Sequence, residues 1–210
     1  MECGNGAGTM TSQQGLFGED PIEGPGLEIQ VHRLLLDPLE SERAFESLVA
    51  EISWGQDHIT MFGKQTPLPR LTAWFGDPNM NYTYSGIEMH PEPWTPVVEH
   101  LRELCNRVAS HSFNSALANL YRNGQDGVAW HSDNEVELGP TPVIASLSLG
   151  GTRKFQLRRV DNPAEKREIE VNSGDLIVMS GLTQKHWAHC VPKTSKPVEP
   201  RINLTFRRIF

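Results

Sequence analysis

His131-Ser132-Asp133, together with a histidine further on at 186 or 189, are the residues of this chain best suited to hold a reactive metal ion. Two imidazoles and one carboxylate form a facial set that binds iron(II) and leaves coordination positions open for chemistry. Residues two apart on a strand point to the same side, so His131 and Asp133 can aim at one point. The third ligand must come from elsewhere. His186 and His189 differ by three positions and face opposite sides of a regular strand, and spacing alone does not choose between them. An HxD triplet taken by itself is a weak signal.

The closing run from Arg201 to Arg207 supplies a second signal. Arg201, Asn203, Thr205 and Arg207 fall on one face of a strand, and Ile202, Leu204 and Phe206 on the other. Arginines turned into a barrel are costly unless an anion meets them. Their forked donors suit a carboxylate. Asn119 and Tyr121 sit two apart on an earlier segment, with Leu120 facing away, and are placed to hydrogen-bond the same ligand. An open metal site beside fixed positive charge suited to a dicarboxylate suggests an oxygenase, not a structural metal protein.

Two helices and a set of short strands must position these groups. Asp37-Pro38 offers an N-cap and a first-turn proline, followed by Ala44, Phe45, Leu48, Val49 and Ile52 at helical spacing. Thr95-Pro96 opens a second helix carrying Val97, Val98, Leu101, Leu104 and Val108. Leu27 to Leu36 reads as an entering strand. After residue 112 the pattern is short strands at 115–122, 142–149, 154–159, 168–172, 176–179, 186–191 and 202–209, most of them separated by Gly, Pro, Asn or Asp. The expected architecture is mainly β, an antiparallel jelly roll (double-stranded β-helix) backed by a helical layer. Residues 1–26 read as a flexible tail and 27–210 as one domain, with its jelly-roll core over about 112–210.

The chain has 210 residues and a net charge of −7, which argues against coating nucleic acid through bulk charge. Positive residues are nonetheless concentrated late, from Arg153 to Arg208. Cys3, Cys105 and Cys190 are odd in number and form no CxxC pair, as expected in a reducing interior. No apolar run suggests a membrane span and no secretory signal opens the chain. An intracellular protein is expected, nuclear in a eukaryote and cytoplasmic in a bacterium, and monomeric.

Asn119-Leu-Tyr121, His131-Ser-Asp133, His189-Cys-Val-Pro and the Arg201–Arg207 run, in that order, resemble the AlkB family of iron(II)- and 2-oxoglutarate-dependent dioxygenases. The likeness extends upstream through Pro69-Arg70-Leu-Thr-Ala-Trp-Phe-Gly76 and Tyr82-Thr-Tyr84-Ser-Gly86, and covers about residues 27–210. It is nearest to the animal homologues that repair alkylated DNA and RNA. The resemblance implies His189, not His186, as third ligand. It implies Fe(II), 2-oxoglutarate and O2 as cofactor and cosubstrates. Arg201 would hold the distal carboxylate, with Arg207, Asn119, Tyr121, Asn203 and Thr205 completing the pocket. The implied reaction is oxidative demethylation of 1-methyladenine and 3-methylcytosine in DNA, with RNA as a further substrate, releasing succinate, CO2 and formaldehyde.

A methyl on a base-pairing edge is hidden in a duplex, so the base must be flipped or the substrate single-stranded. A nucleotide-recognition lid is expected over about 54–86. Within it Tyr82 and Tyr84 match the family's lid strand and would stack on the base, opposite the His131 ring. Phe62, Gly63 and Lys64 would form a wedge, a turn and a phosphate contact. Asn134 and Glu135 follow the metal carboxylate where relatives carry acids that contact the base's exocyclic amine. Asn134 replaces one of those acids, which leaves Glu135 for the role. The alternatives are an enzyme whose main task is RNA demethylation, a 2-oxoglutarate-dependent hydroxylase of a protein or small molecule, and a binding-only member of the fold.

Overall fold

The structure is a computed structural model that describes residues 19–61, 63–78, 82–84, 87–89 and 91–210. The chain opens with strands β1 (Glu19–Gly24) and β2 (Leu27–His32) and helix α1 (Pro38–Glu51). Strands β3 (His58–Met61), β4 (Lys64–Pro67), β5 (Leu71–Gly76), β6 (Tyr82–Tyr84) and β7 (Ile87–Met89) precede helix α2 (Pro96–Ala109). The remainder is β8 (Ser115–Tyr121), β9 (Val128–His131), β10 (Ile144–Gly150), β11 (Arg153–Arg159), β12 (Lys166–Val171) and β13 (Leu176–Ser180). The short helix α3 (Thr183–His186), β14 (Trp187–Val191) and β15 (Arg201–Arg207) close the chain.

Seven strands form one antiparallel sheet in the order β1-β2-β13-β10-β15-β8-β5, and four form another, β12-β11-β14-β9. Residue alternation along the strands decides what lies on each side of the large sheet. Ala145, Leu147 and Leu149 of β10, with Ile202, Leu204 and Phe206 of β15, join Leu48 of α1 and Val98, Leu101 and Cys105 of α2 in one buried cluster. Between the two sheets lies a second cluster, with Ile29, Val31, Ile144, Phe155, Leu157, Ile177, Met179 and Trp187. This is the expected jelly roll with its helical layer. The inward residues left over from these clusters on β8, β10 and β15 are mostly polar, Leu117 apart, and they build the site.

Both helices start where their residues predict. Asp37 accepts from the Glu40 N–H while the Glu40 side chain accepts from the Asp37 N–H, a complete capping box with Pro38 in the first turn. Thr95 caps α2 through the Val98 N–H.

Four sequence expectations change. The tail does not extend to residue 26, because Glu19–Gly24 pairs along its length with Leu27–His32. The jelly roll is not confined to 112–210, since β1, β2 and β5 all join its large sheet. The 54–86 stretch is not one lid: β5 lies at the sheet edge against β8, and it separates hairpin β3–β4 from hairpin β6–β7. The 186–191 strand begins one residue later, because His186 ends α3.

Candidate active site

Strands β9 and β14 are antiparallel neighbours in which His131 is the direct partner of His189. That register brings the two imidazoles side by side, their centroids 4.3 Å apart. Asp133 lies just past the end of β9, not on a regular strand, and is buried to 3% exposure. Its N–H donates to Gln184 Oε1, which turns the carboxylate toward the histidines. Asp133 Oδ1 stands 4.0 Å from His131 Nε2, and Oδ2 stands 3.9 Å from His189 Nε2. One ligand atom from each residue lies within 4.8 Å of the others. An ion about 2 Å from each donor spans pairs up to about 4 Å apart, so small shifts close the set. His186, on the preceding helical turn, packs against Gly26 and is not part of this group.

The protonation pattern favours metal binding. His131 Nδ1 lies 2.8 Å from the Ala129 carbonyl, so a proton there leaves the Nε2 lone pair for an ion. Burial lowers the His189 pKa to about 4, so this ring is neutral at physiological pH. Burial alone would raise the Asp133 pKa. The Arg207 charge, followed by the two histidines, outweighs burial and holds it below the usual carboxylate value. Arg207 Nη2 donates to Asp133 Oδ1 at 2.8 Å. Asp133 Oδ2 and His189 Nδ1 are buried without a hydrogen-bond partner, the first of them facing the space between the ligands. A buried acceptor of this kind is costly unless a cation meets it.

Arg201 presents the complementary problem. It is 2% exposed, and its Nη2 donates to Ser148 Oγ at 2.7 Å, but among the described residues Nε and Nη1 have no hydrogen-bond partner. Burial lowers its pKa, an effect that Tyr121 partly opposes and nearby Arg153 reinforces. A buried guanidinium with two unmatched donors fits a bidentate carboxylate. Asn119, Tyr121, Arg201, Asn203, Thr205 and Arg207 all line the same cavity as His131, Asp133 and His189. They are not equivalent there. Asn203 donates to Ser146 Oγ and the Leu147 carbonyl and accepts from Thr205, so its amide is fully committed and supports the wall. Asn119 Oδ1 accepts from Arg70 Nε at 2.7 Å.

Phe62 and the side chains of Tyr82 and Tyr84 lie outside the described residues. Gly63 adopts φ +76° in open space, and Lys64 is exposed at the start of β4. Asn134 is exposed, and Glu135 keeps one buried oxygen without a partner. None of Gly63, Lys64, Asn134 and Glu135 lines the metal cavity.

Several residues that line or support the cavity were missed from sequence. Phe155 stacks on His189 at 5.2 Å, Ser146 and Ser148 anchor Asn203 and Arg201, and Arg70 orients Asn119. The one signal for the serines was the alternation of small polar and apolar residues along Ile144–Gly150.

Residues 29–207 match the 2OG-Fe(II) oxygenase superfamily. The chain belongs to that family. Within it, the chain is 44% identical over 184 residues to the bovine alpha-ketoglutarate-dependent dioxygenase alkB homolog 3, covering 83% of this chain and 64% of that protein. It is 35% identical over 198 residues to human DNA oxidative demethylase ALKBH2, covering 90% of this chain and 76% of that one. These relatives place it in the AlkB branch. The solved structure of OsALKBH1 superposes with a TM-score of 0.65 at 18% identity, over 91% of this chain and all of that one, which supports the fold. Fe(II), 2-oxoglutarate and O2 are the family's cofactor set, and the partnerless donors and acceptors of the cavity fit the first two.

Proposed function

We propose that this AlkB-family chain is a dioxygenase that removes methyl groups from alkylated bases, 1-methyladenine and 3-methylcytosine, in DNA and also in RNA. It spans 64% of the bovine alkB homolog 3, so activity and substrate are argued from its own residues beside the names of its relatives. The observation that carries the reading is one cavity holding a buried His-Asp-His set at one end and a buried arginine without a carboxylate partner at the other.

His131, Asp133 and His189 would hold the iron, and Arg201 the distal carboxylate of 2-oxoglutarate. Bound iron with 2-oxoglutarate and O2 supplies the oxidant that hydroxylates the N-methyl group, which leaves as formaldehyde as the cosubstrate becomes succinate and CO2. Arg207 fixes Asp133 and supplies positive charge beside it. Leu117, Val128, Phe155, Met179 and Val191 give the cavity apolar walls that exclude water from the reacting atoms. Ser148 and Tyr121 hold Arg201 in place before ligand arrives. No side chain is required as a nucleophile.

Base recognition is assigned to Tyr82 and Tyr84 against the His131 ring, with Glu135 accepting from an exocyclic amine and Asn134 beside it. Phe62, Gly63 and Lys64 form the duplex-probing finger. The isolated β3–β4 hairpin, every residue of β4 exposed, supports a projecting finger. An intracellular monomer completes the reading. Cys105 and Cys190 are free thiols, and among the described residues no helix is long and apolar enough to cross a membrane.

Anaerobic titration tests the site. Fe(II) with 2-oxoglutarate should give a visible charge-transfer absorption that His131→Ala and Asp133→Ala abolish. Wild-type absorption in those variants would refute the assignment. Turnover on methylated single-stranded DNA, duplex DNA and RNA then ranks the substrates.

A further inference from the structure

We propose that Arg153 is a second cation behind the distal-carboxylate end of the cosubstrate site, beside Arg201, a positioning residue that sets the preference for a dicarboxylate over a monocarboxylate oxoacid. The inference rests on the reading of the cavity as a 2-oxoglutarate site. Arg153 opens β11, whose inward residues are Arg153, Phe155 and Leu157. Leu157 is the strand partner of His189, and Phe155 stacks on that ring. Arg153 therefore lies four residues, about 13 Å, along the strand from the metal end. On β15 the same axis runs from Arg207, bonded to Asp133, to Arg201. The two strands deliver Arg153 and Arg201 to the end of the barrel farthest from the metal.

The two guanidinium groups share one aromatic neighbour. Arg201 lies 5.2 Å and Arg153 5.7 Å from the centre of the Tyr121 ring, so the charges are at most about 11 Å apart. Arg153 is 4% exposed, yet among the described residues its donors reach only backbone carbonyls: Asp126 at 2.9 Å, Pro192 at 2.7 Å and Asn123 at 3.4 Å. The nearby Asp126 carboxylate is occupied by Arg122, through its N–H, Nε and Nη2. Among the described residues no ion pair involves Arg153 or Arg201. Two buried like charges raise each other's cost, and a carboxylate at Arg201 relieves both.

Arg153 does not line the cavity, so it acts through Tyr121 and through its field. A purely structural clamp, holding residues 123–126 to Pro192, would affect every oxoacid alike. A field effect would act on the distal charge alone. A unit charge about 10 Å away, at an effective dielectric near 20, changes affinity by about tenfold.

The test uses the full chain loaded with Mn(II), titrated calorimetrically with 2-oxoglutarate and with 2-oxopentanoate, which carries a methyl in place of the distal carboxylate. Arg153→Gln should weaken 2-oxoglutarate binding by about tenfold and leave 2-oxopentanoate within about twofold. Arg153→Lys, which keeps the charge but not the fork, should retain most of the discrimination even if it lowers the unfolding temperature. Equal losses for both ligands, or a collapse of discrimination in Arg153→Lys, would overturn the inference, and the lysine variant decides alone if the glutamine variant does not fold. Absence of 2-oxoglutarate binding to the wild-type protein would instead refute the cavity assignment and this inference with it.

Discussion

Arg201 is where the chemistry of single residues is most exposed to test. Breaking a buried ion pair is costly, but among the described residues Arg201 has no carboxylate partner to lose. Arg201→Met should therefore leave the unfolding temperature of the ligand-free protein unchanged or raised, while weakening 2-oxoglutarate at least tenfold by calorimetry. A large loss of stability with affinity intact would contradict the role. His189 gives a pH signature in the metal-free protein. Its folded pKa of about 4 lies below the ordinary 6.5, so between those values the unfolded chain binds more protons. Stability should be complete above about pH 6.5 and fall as pH drops toward 4, a slope read from urea midpoints and reduced in His189→Gln. The metal and arginine residues were legible because their types are rare in a core and their spacing has a period. Ser146, Ser148 and Phe155 were not, because each is an ordinary residue given its role by strand register alone, and Arg70, just before β5, takes its role from a side-chain bond to Asn119.

At the scale of elements, helix starts and the inside-out alternation of β15 were readable from local chemistry, since caps and two-residue periods act within a few positions. Asp37→Ala removes a complete capping box and should cost about 1 kcal/mol of stability with turnover unchanged, measured by chemical denaturation. Sheet edges were harder. β5 gains its place from β8, far along the chain, and β1 from the adjacent β2 that carries it onto the sheet edge, and their own sequences do not announce them. The 186–191 segment read as a strand because Thr183–His186 is too short to display helical periodicity. Among the described residues hairpin β3–β4 pairs with no other strand, which leaves it able to reach a partner. Phe62→Ala should lower turnover on methylated duplex DNA at least tenfold more than on single strands. Equal effects on both would remove the wedge.

Across the whole molecule, a net charge of −7 coexists with proposed binding to a polyanion. Association must then rest on a few local contacts, and its salt dependence should be shallow, corresponding to few displaced counterions. A steep slope in fluorescence anisotropy would point to a broad basic face instead. The two-sheet barrel gives the central claim its geometry: a metal set on the small sheet, an anion anchor on the large one, and one cavity between. The most direct measurement is mass spectrometry of an oligonucleotide carrying one 1-methyladenine or 3-methylcytosine, incubated with the protein, Fe(II), O2 and 2-oxoglutarate. The account predicts loss of one methyl per lesion with equal yields of formaldehyde and succinate, and none with Asp133→Ala. An unchanged oligonucleotide while 2-oxoglutarate is consumed, or full demethylation by the variant, would contradict it.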